Sequence, residues 1–185
     1  MNVLMRKLYL FPIFLLFCFS FSLSSTVYGC RPIGSRSAQT LVSNAEFILR
    51  ATANKYIREP RGNIRALNEP DDTEIEFRVE EVLKGEKVPS TLVLNGYLTD
   101  RDDYNEQVVP YSFVRKGGRG GSCSAYEYKK GAEYLLFLVK KDGKLTVNWY
   151  PLAPTNEQLR SKDDDWIIWV KNNLQNSKET NKNNN

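Results

Sequence analysis

The chain has 185 residues, with 26 basic and 22 acidic side chains, a formal charge of +4, three cysteines and no histidine. Basic and acidic residues are interspersed, so the charge gives no warrant for nucleic-acid binding. The missing histidine removes the commonest general base, the Ser-His and Cys-His nucleophile pairs and histidine metal ligands, which points away from an enzyme and from a bound cofactor.

Residues 1–29 read as a secretory signal. Arg6 and Lys7 form a positive start, an apolar run extends from Leu8 to Leu23, and Val27 and Gly29 stand at the −3 and −1 positions of a cut before Cys30. Val27-Tyr28-Gly29-Cys30 also loosely resembles a bacterial lipobox. Either route makes Cys30 the new N-terminus. The expected product is secreted, with a lipid-anchored form at the bacterial envelope as the alternative; a membrane is involved only if Cys30 is lipidated. The mature chain keeps 24 basic and 22 acidic residues, about one domain's worth of sequence. Its cysteines are Cys30 and Cys123, which in an oxidising compartment suggest one disulfide, two free thiols being the alternative.

Ser37 to Glu46 reads as a short helix or turn leading into a strand at Phe47–Ala53. Tyr56 to Thr73 reads as a charged loop broken by Pro60, Gly62 and Pro70. Glu74–Leu83 alternates apolar and charged residues, the mark of a half-buried strand. Thr91–Leu94 is the next strand. Asp100 to Gly121 is polar and glycine-rich, a mobile loop with Tyr104, Tyr111 and Phe113 as candidate binding aromatics. Tyr126–Tyr128 leads through a Lys129–Gly131 turn to Ala132–Val139, almost wholly apolar and expected to be a central strand. Lys141-Asp142-Gly143-Lys144 is a hairpin signal, returning as Leu145–Trp149.

The last element is a helix, with Ser161 as N-cap and Asp163 to Asp165 at the positive end of its dipole. Trp166, Ile167, Val170 and Leu174 fall on one face, with Ile168 and Trp169 beside it, a face expected to pack on the body of the domain. The polar stretch 175–185 is expected to be disordered. The predicted organisation is a signal at 1–29, one domain at 30–174 and a tail at 175–185. The predicted fold is mostly β: an OB-like, five-stranded Greek-key barrel with a C-terminal helix, a pattern that a small sandwich shares.

Three segments carry a family resemblance. Residues 121–137, with Cys123, Tyr126, Tyr128, Gly131 and Tyr134-Leu135-Leu136-Phe137, resemble the cysteine–aromatic–glycine–Tyr-Leu-x-Phe signature of netrin-like modules, the group that includes the tissue inhibitors of metalloproteinases. Phe77 to Gly85 resembles their F-x-V-x-x-V-x-K-G strand, and Phe47 to Ala51 resembles their first strand. The resemblance implies an OB-like barrel. It also implies a zinc metalloprotease, or another extracellular protein, as partner. In the inhibitors the mature N-terminal cysteine chelates the protease zinc through its amine and carbonyl, which carries over to Cys30, with Cys123 in the region of its disulfide partner. Arg31 stands where the inhibitors place the residue that enters the specificity pocket, and Pro32 where they have a second cysteine.

Overall fold

The computed structural model describes residues 37–61, 73–111, 126–147 and 155–183. Cys30, Arg31, Phe113, Cys123 and the signal segment lie outside these residues.

The chain enters through α1 (Ala38–Asn44), where the Ser37 hydroxyl caps the helix by accepting from Thr40 N–H at 3.2 Å. Ala38, Leu41 and Val42, spaced i, i+3 and i+4, are its buried side. Lys84 Nζ donates to the Val42 and Ser43 carbonyls at 2.9 and 3.0 Å, supplying a cation where the helix leaves carbonyls unpaired.

Among the described residues eight strands follow: β1 (Phe47–Arg58), β2 (Glu74–Lys84), β3 (Thr91–Asn95), β4 (Tyr97–Thr99), β5 (Glu127–Lys129), β6 (Glu133–Lys141), β7 (Lys144–Val147) and β8 (Glu157–Gln158). The main sheet has the order β3-β2-β1-β6-β7, every pair antiparallel, and β8 pairs with β6 beside Tyr134 and Leu135. β4 and β5 form a separate parallel pair. Four register shifts along the β1–β2 ladder are the irregularities that bend a long hairpin. The mostly β character and the C-terminal helix therefore match expectation, whereas the described strands do not close into a hydrogen-bonded barrel.

The sheet carries a core on each face. On one side Leu49, Ala51, Phe77, Leu94, Leu136 and Leu138 are buried, with Tyr128 and Tyr134 set edge-on to Phe77. On the other side Ile48, Leu135 and Phe137 meet α1 and the final helix, α2 (Asp165–Asn183). β6 thus buries consecutive residues from Tyr134 to Leu138, which is why its sequence is apolar without alternation. Trp166, Ile167 and Val170 are fully buried beneath α2, Leu174 packs beside them, and Ile168 faces outward. The helix face thus packs on the sheet as the periodicity predicts.

Several boundaries differ. β1 runs five residues beyond Ala53, and Lys55, Tyr56 and Arg58 pair with β2 at an exposed end of the sheet where polar side chains cost nothing. The N-cap of α2 is Asp164, not Ser161. Asp164 Oδ1 accepts from Trp166 N–H at 2.9 Å, and its carbonyl accepts the first helical bond from Ile168. The Ser161 hydroxyl accepts only from Asp163 N–H. Helix α2 continues through the polar stretch to Asn183.

Candidate binding groove

β3 and β7 end the sheet on its two sides, and their Cα atoms approach within 8 Å without sharing a ladder. Between them lies an open groove of about 1040 Å³. Alternation of direction around the sheet makes β3 and β7 parallel to each other, since four antiparallel steps separate them.

The edge of β3 is defined by its bonding. Val79 N–H donates to the Ser90 carbonyl and Gly96 N–H to the Thr73 carbonyl, so the even-numbered residues of β3 face β2. The main-chain groups of Thr91 and Val93 consequently turn toward the groove. Val93 is exposed to 45%, a large apolar side chain on an open strand edge. On the opposite wall the β6–β7 hairpin is closed by Asp142 (φ 51°) and Gly143 (φ 80°), a two-residue turn with positive φ at both positions.

Four exposed lysines surround the groove: Lys87 from the β2–β3 turn, Lys140 and Lys141 from β6, and Lys144 from β7. Among the described residues lining the groove the one carboxylate, Glu74, is 3.5 Å from the Arg58 guanidinium. Among the described residues none of the four lysines has a carboxylate within ion-pair distance. The mouth of the groove is therefore cationic over an apolar floor containing Leu92, Leu94 and Val147.

The sequence marked other places. Residues 100–111, expected as part of a mobile loop, are bound to the chain that follows β7. Gln158 accepts from Asp103 N–H at 2.8 Å and donates to Asp102 at 2.6 Å, while Glu157 accepts from buried Asn105 at 3.1 Å. The Lys129 ammonium donates to Asp102 and, with Gln158, holds that carboxyl below its usual range. Of the candidate aromatics, Tyr111 is buried 5.1 Å from the Trp166 ring and half-buried Tyr104 lies under the Arg160 guanidinium. Cys30, Arg31 and Cys123 cannot be placed relative to one another from the described residues. The lysines of the groove escaped notice in the sequence because Lys-Asp-Gly-Lys reads first as a turn. The signal was there as an excess of lysine flanking two strands.

A smaller depression of about 300 Å³ lies near Lys55, Tyr56 and Asp100. The Tyr56 hydroxyl there accepts from Leu98 N–H at 2.7 Å, and burial raises its pKa. Among the described residues no group of three or more Asp, Glu, Cys or His is placed to hold a metal ion, and no helix is long and apolar enough to cross a membrane. Set against models of known families and against curated proteins, the chain matches none.

Proposed function

We propose that the chain is an exported binding module of netrin-like, OB-type architecture that acts without catalysis. The observation that carries this reading is the strand order β3-β2-β1-β6-β7 with two facing edges. That is the neighbour order of a five-stranded OB barrel opened at one seam, and the seam is a groove with exposed backbone and uncompensated charge. A chain without histidine supports binding over acid–base or nucleophilic chemistry. The test is to photo-crosslink the exported protein in its native extracellular surroundings, purify what is captured and titrate it calorimetrically. Saturable binding with the masses of both proteins unchanged is expected. A chemical change in the captured molecule refutes the reading.

A second reading, metalloprotease inhibition through Cys30, draws support from how firmly the chain is held from Ser37 onward. Ser37 caps α1, Glu46 N–H donates to the Leu138 carbonyl, and Lys84 clamps the helix end. An N-terminal wedge needs such an anchored base. A free α-amine, with a pKa of about 7.7–8.0, would chelate zinc as the metal displaces its proton. Adding one alanine before Cys30 shifts that amine by about 3.8 Å. Inhibition of zinc endopeptidases should collapse while the fold persists. Equal inhibition by the two forms removes the chelation mechanism.

A further inference from the structure

We propose that the projecting β6–β7 hairpin is a membrane-facing surface, where Lys140, Lys141 and Lys144 dock on the phosphate headgroups of an anionic bilayer and orient the protein upon it. The inference goes beyond the binding-module reading, since it concerns the surface on which the module sits rather than what it captures.

Topology brings the lysines together. β2 and β6 both run antiparallel to β1, so the β2–β3 turn and the β6–β7 turn lie at the end of the sheet where β1 begins. β6 passes that end. Leu138 is the partner of Phe47, the first residue of β1, and Val139, Lys140 and Lys141 continue beyond it before the turn. At about 3.3 Å per residue the hairpin projects about 10 Å. Lys141 and Lys144 are opposite one another in the ladder, a like-charge pair that costs stability unless an anion lies against it. Lys140 is on the other face of the hairpin, and all three side chains are exposed.

The surrounding charges leave the tip cationic. Asp142 in the turn offsets one hairpin lysine, and Glu86 offsets Lys87 in the neighbouring turn. Lys84 is engaged by the α1 carbonyls. Glu46 lies just before β1, set back by the length of the projection, which exceeds the Debye length of about 8 Å at physiological salt. The acidic residues Asp100, Asp102, Asp103 and Glu106 follow β3 and β4 from the opposite end, where Asn95 pairs with Glu74, so a negative surface repels that end and draws the hairpin. The chain also enters at the hairpin's end. α1 leads through Ala45 and Glu46 into β1, and the arm from Cys30 to Ser37 reaches at most about 25 Å. A single lipid on Cys30 would anchor the protein only reversibly, and a basic patch supplies the second contact that stable anchoring takes.

The test holds the mature chain, residues 30–185, on vesicles through a hexahistidine tag before Cys30 and a nickel-chelating lipid, which grips the tag alone because the protein has no histidine. Lysines are acylated with a water-soluble ester and located by peptide mass mapping. Each lysine near an anionic surface adds about fivefold to binding. Labelling of Lys140, Lys141 and Lys144 should therefore slow at least about fivefold on vesicles containing phosphatidylglycerol relative to phosphatidylcholine alone. Lys55 and Lys130, exposed at the far end of the sheet, should label equally on both. Raised salt should erase the difference. Asp142→Asn should strengthen the protection about fivefold, since it removes the acid at the tip and asparagine tolerates the positive φ there. Lys144→Gln should weaken it about as much, with the circular dichroism spectrum unchanged in both. Equal labelling on neutral and anionic vesicles, protection of Lys55 and Lys130 instead, or protection indifferent to Asp142→Asn overturns the proposal. So does equal protection by soluble polyglutamate at matched charge, since the hairpin then takes an acidic chain. Protection without vesicles that rises with protein concentration overturns it too, since the hairpin then meets a second copy. Capture of a soluble partner is unaffected by any of these results, so the binding-module reading is judged separately.

Discussion

Replacing Asp164 tests how the C-terminal helix is fastened to the sheet. Its carboxylate is 7% exposed and accepts two backbone hydrogen bonds at 2.9 Å, from Trp166 in the first turn of α2 and from Arg160 in the segment leading to it. Asp164→Ala removes a helix cap worth about 0.5–2 kcal/mol. It also strands the Arg160 N–H, a part-buried donor whose desolvation costs about 1–3 kcal/mol when its partner is lost. The expected destabilisation is therefore about 1.5–5 kcal/mol. Asp164→Asn keeps one acceptor for Trp166 and should cost roughly half as much. Ser161→Ala touches only an exposed bond to Asp163 and should stay within about 0.5 kcal/mol. Urea unfolding followed by tryptophan fluorescence reads all three, since Trp166 and Trp169 stack at 5.2 Å in that helix. A Ser161→Ala loss equal to that of Asp164→Ala would mean that the cap lies three residues earlier and that the reasoning fails.

Trp166→Ala should cost about 3–5 kcal/mol by the same assay, because the indole is fully buried against Tyr111 and Phe137; a loss under about 1 kcal/mol would show that α2 is not packed there. Gly85→Ala should cost at least about 2 kcal/mol, since φ is +101° and an added methyl would collide with the Phe47 ring; a neutral effect in urea unfolding contradicts this packing. The Glu81 carboxyl is held below its ordinary 4.5, first by its hydrogen bond from Lys171 and then by Arg50, against the effect of burial. A depressed folded-state pKa gives stability that is present above the unfolded value and lost as pH falls through the folded one. Unfolding midpoints should thus fall below about pH 4.5, less steeply in Glu81→Gln, and equal slopes refute the pairing. If the protein is exported as proposed, non-reducing peptide mass mapping should find Cys30 joined to Cys123, with Cys123→Ser costing about 2–5 kcal/mol; two titratable thiols exclude the bridge.

What could be read in the sequence followed the strength of each local pattern. The alternation of Glu74–Leu83 and the unbroken apolar run of β6 announced a half-buried and a central strand because burial on one or two faces dictates those compositions. The helical spacing of Trp166, Ile167 and Val170 was equally plain. The end of β1 was hidden because Lys55 and Arg58 are held by pairing with β2, not by burial. β4 and β8 are too short to carry a period, and each depends on a distant partner, β5 and β6 respectively. Residues 100–111 look like a loop and are one, but their order comes from Gln158, Glu157 and Arg160, which local sequence cannot reveal. The cap was misplaced because a serine and an aspartate three residues apart are each good caps, and only the observed bond to Trp166 chooses between them. The groove was invisible for a related reason: strand order, set by long-range pairing, decides which lysines share a surface.

That long-range pairing bears on how the molecule is made. Arg50 of β1 and Glu133 of β6 form a 2.7 Å ion pair across 83 residues of chain. A chain that emerges amino end first can complete the β1–β2–β3 meander before β6 is available to pair. Until β6 arrives, Ile48 and Leu49 have no neighbour on that side, and the apolar faces of α1 and of the meander are bare. High contact order of this kind slows folding, into the millisecond-to-second range for comparable β domains. Assembly thus waits for the second half of the chain, and the unfinished meander is the species that a chaperone or a protease would meet first.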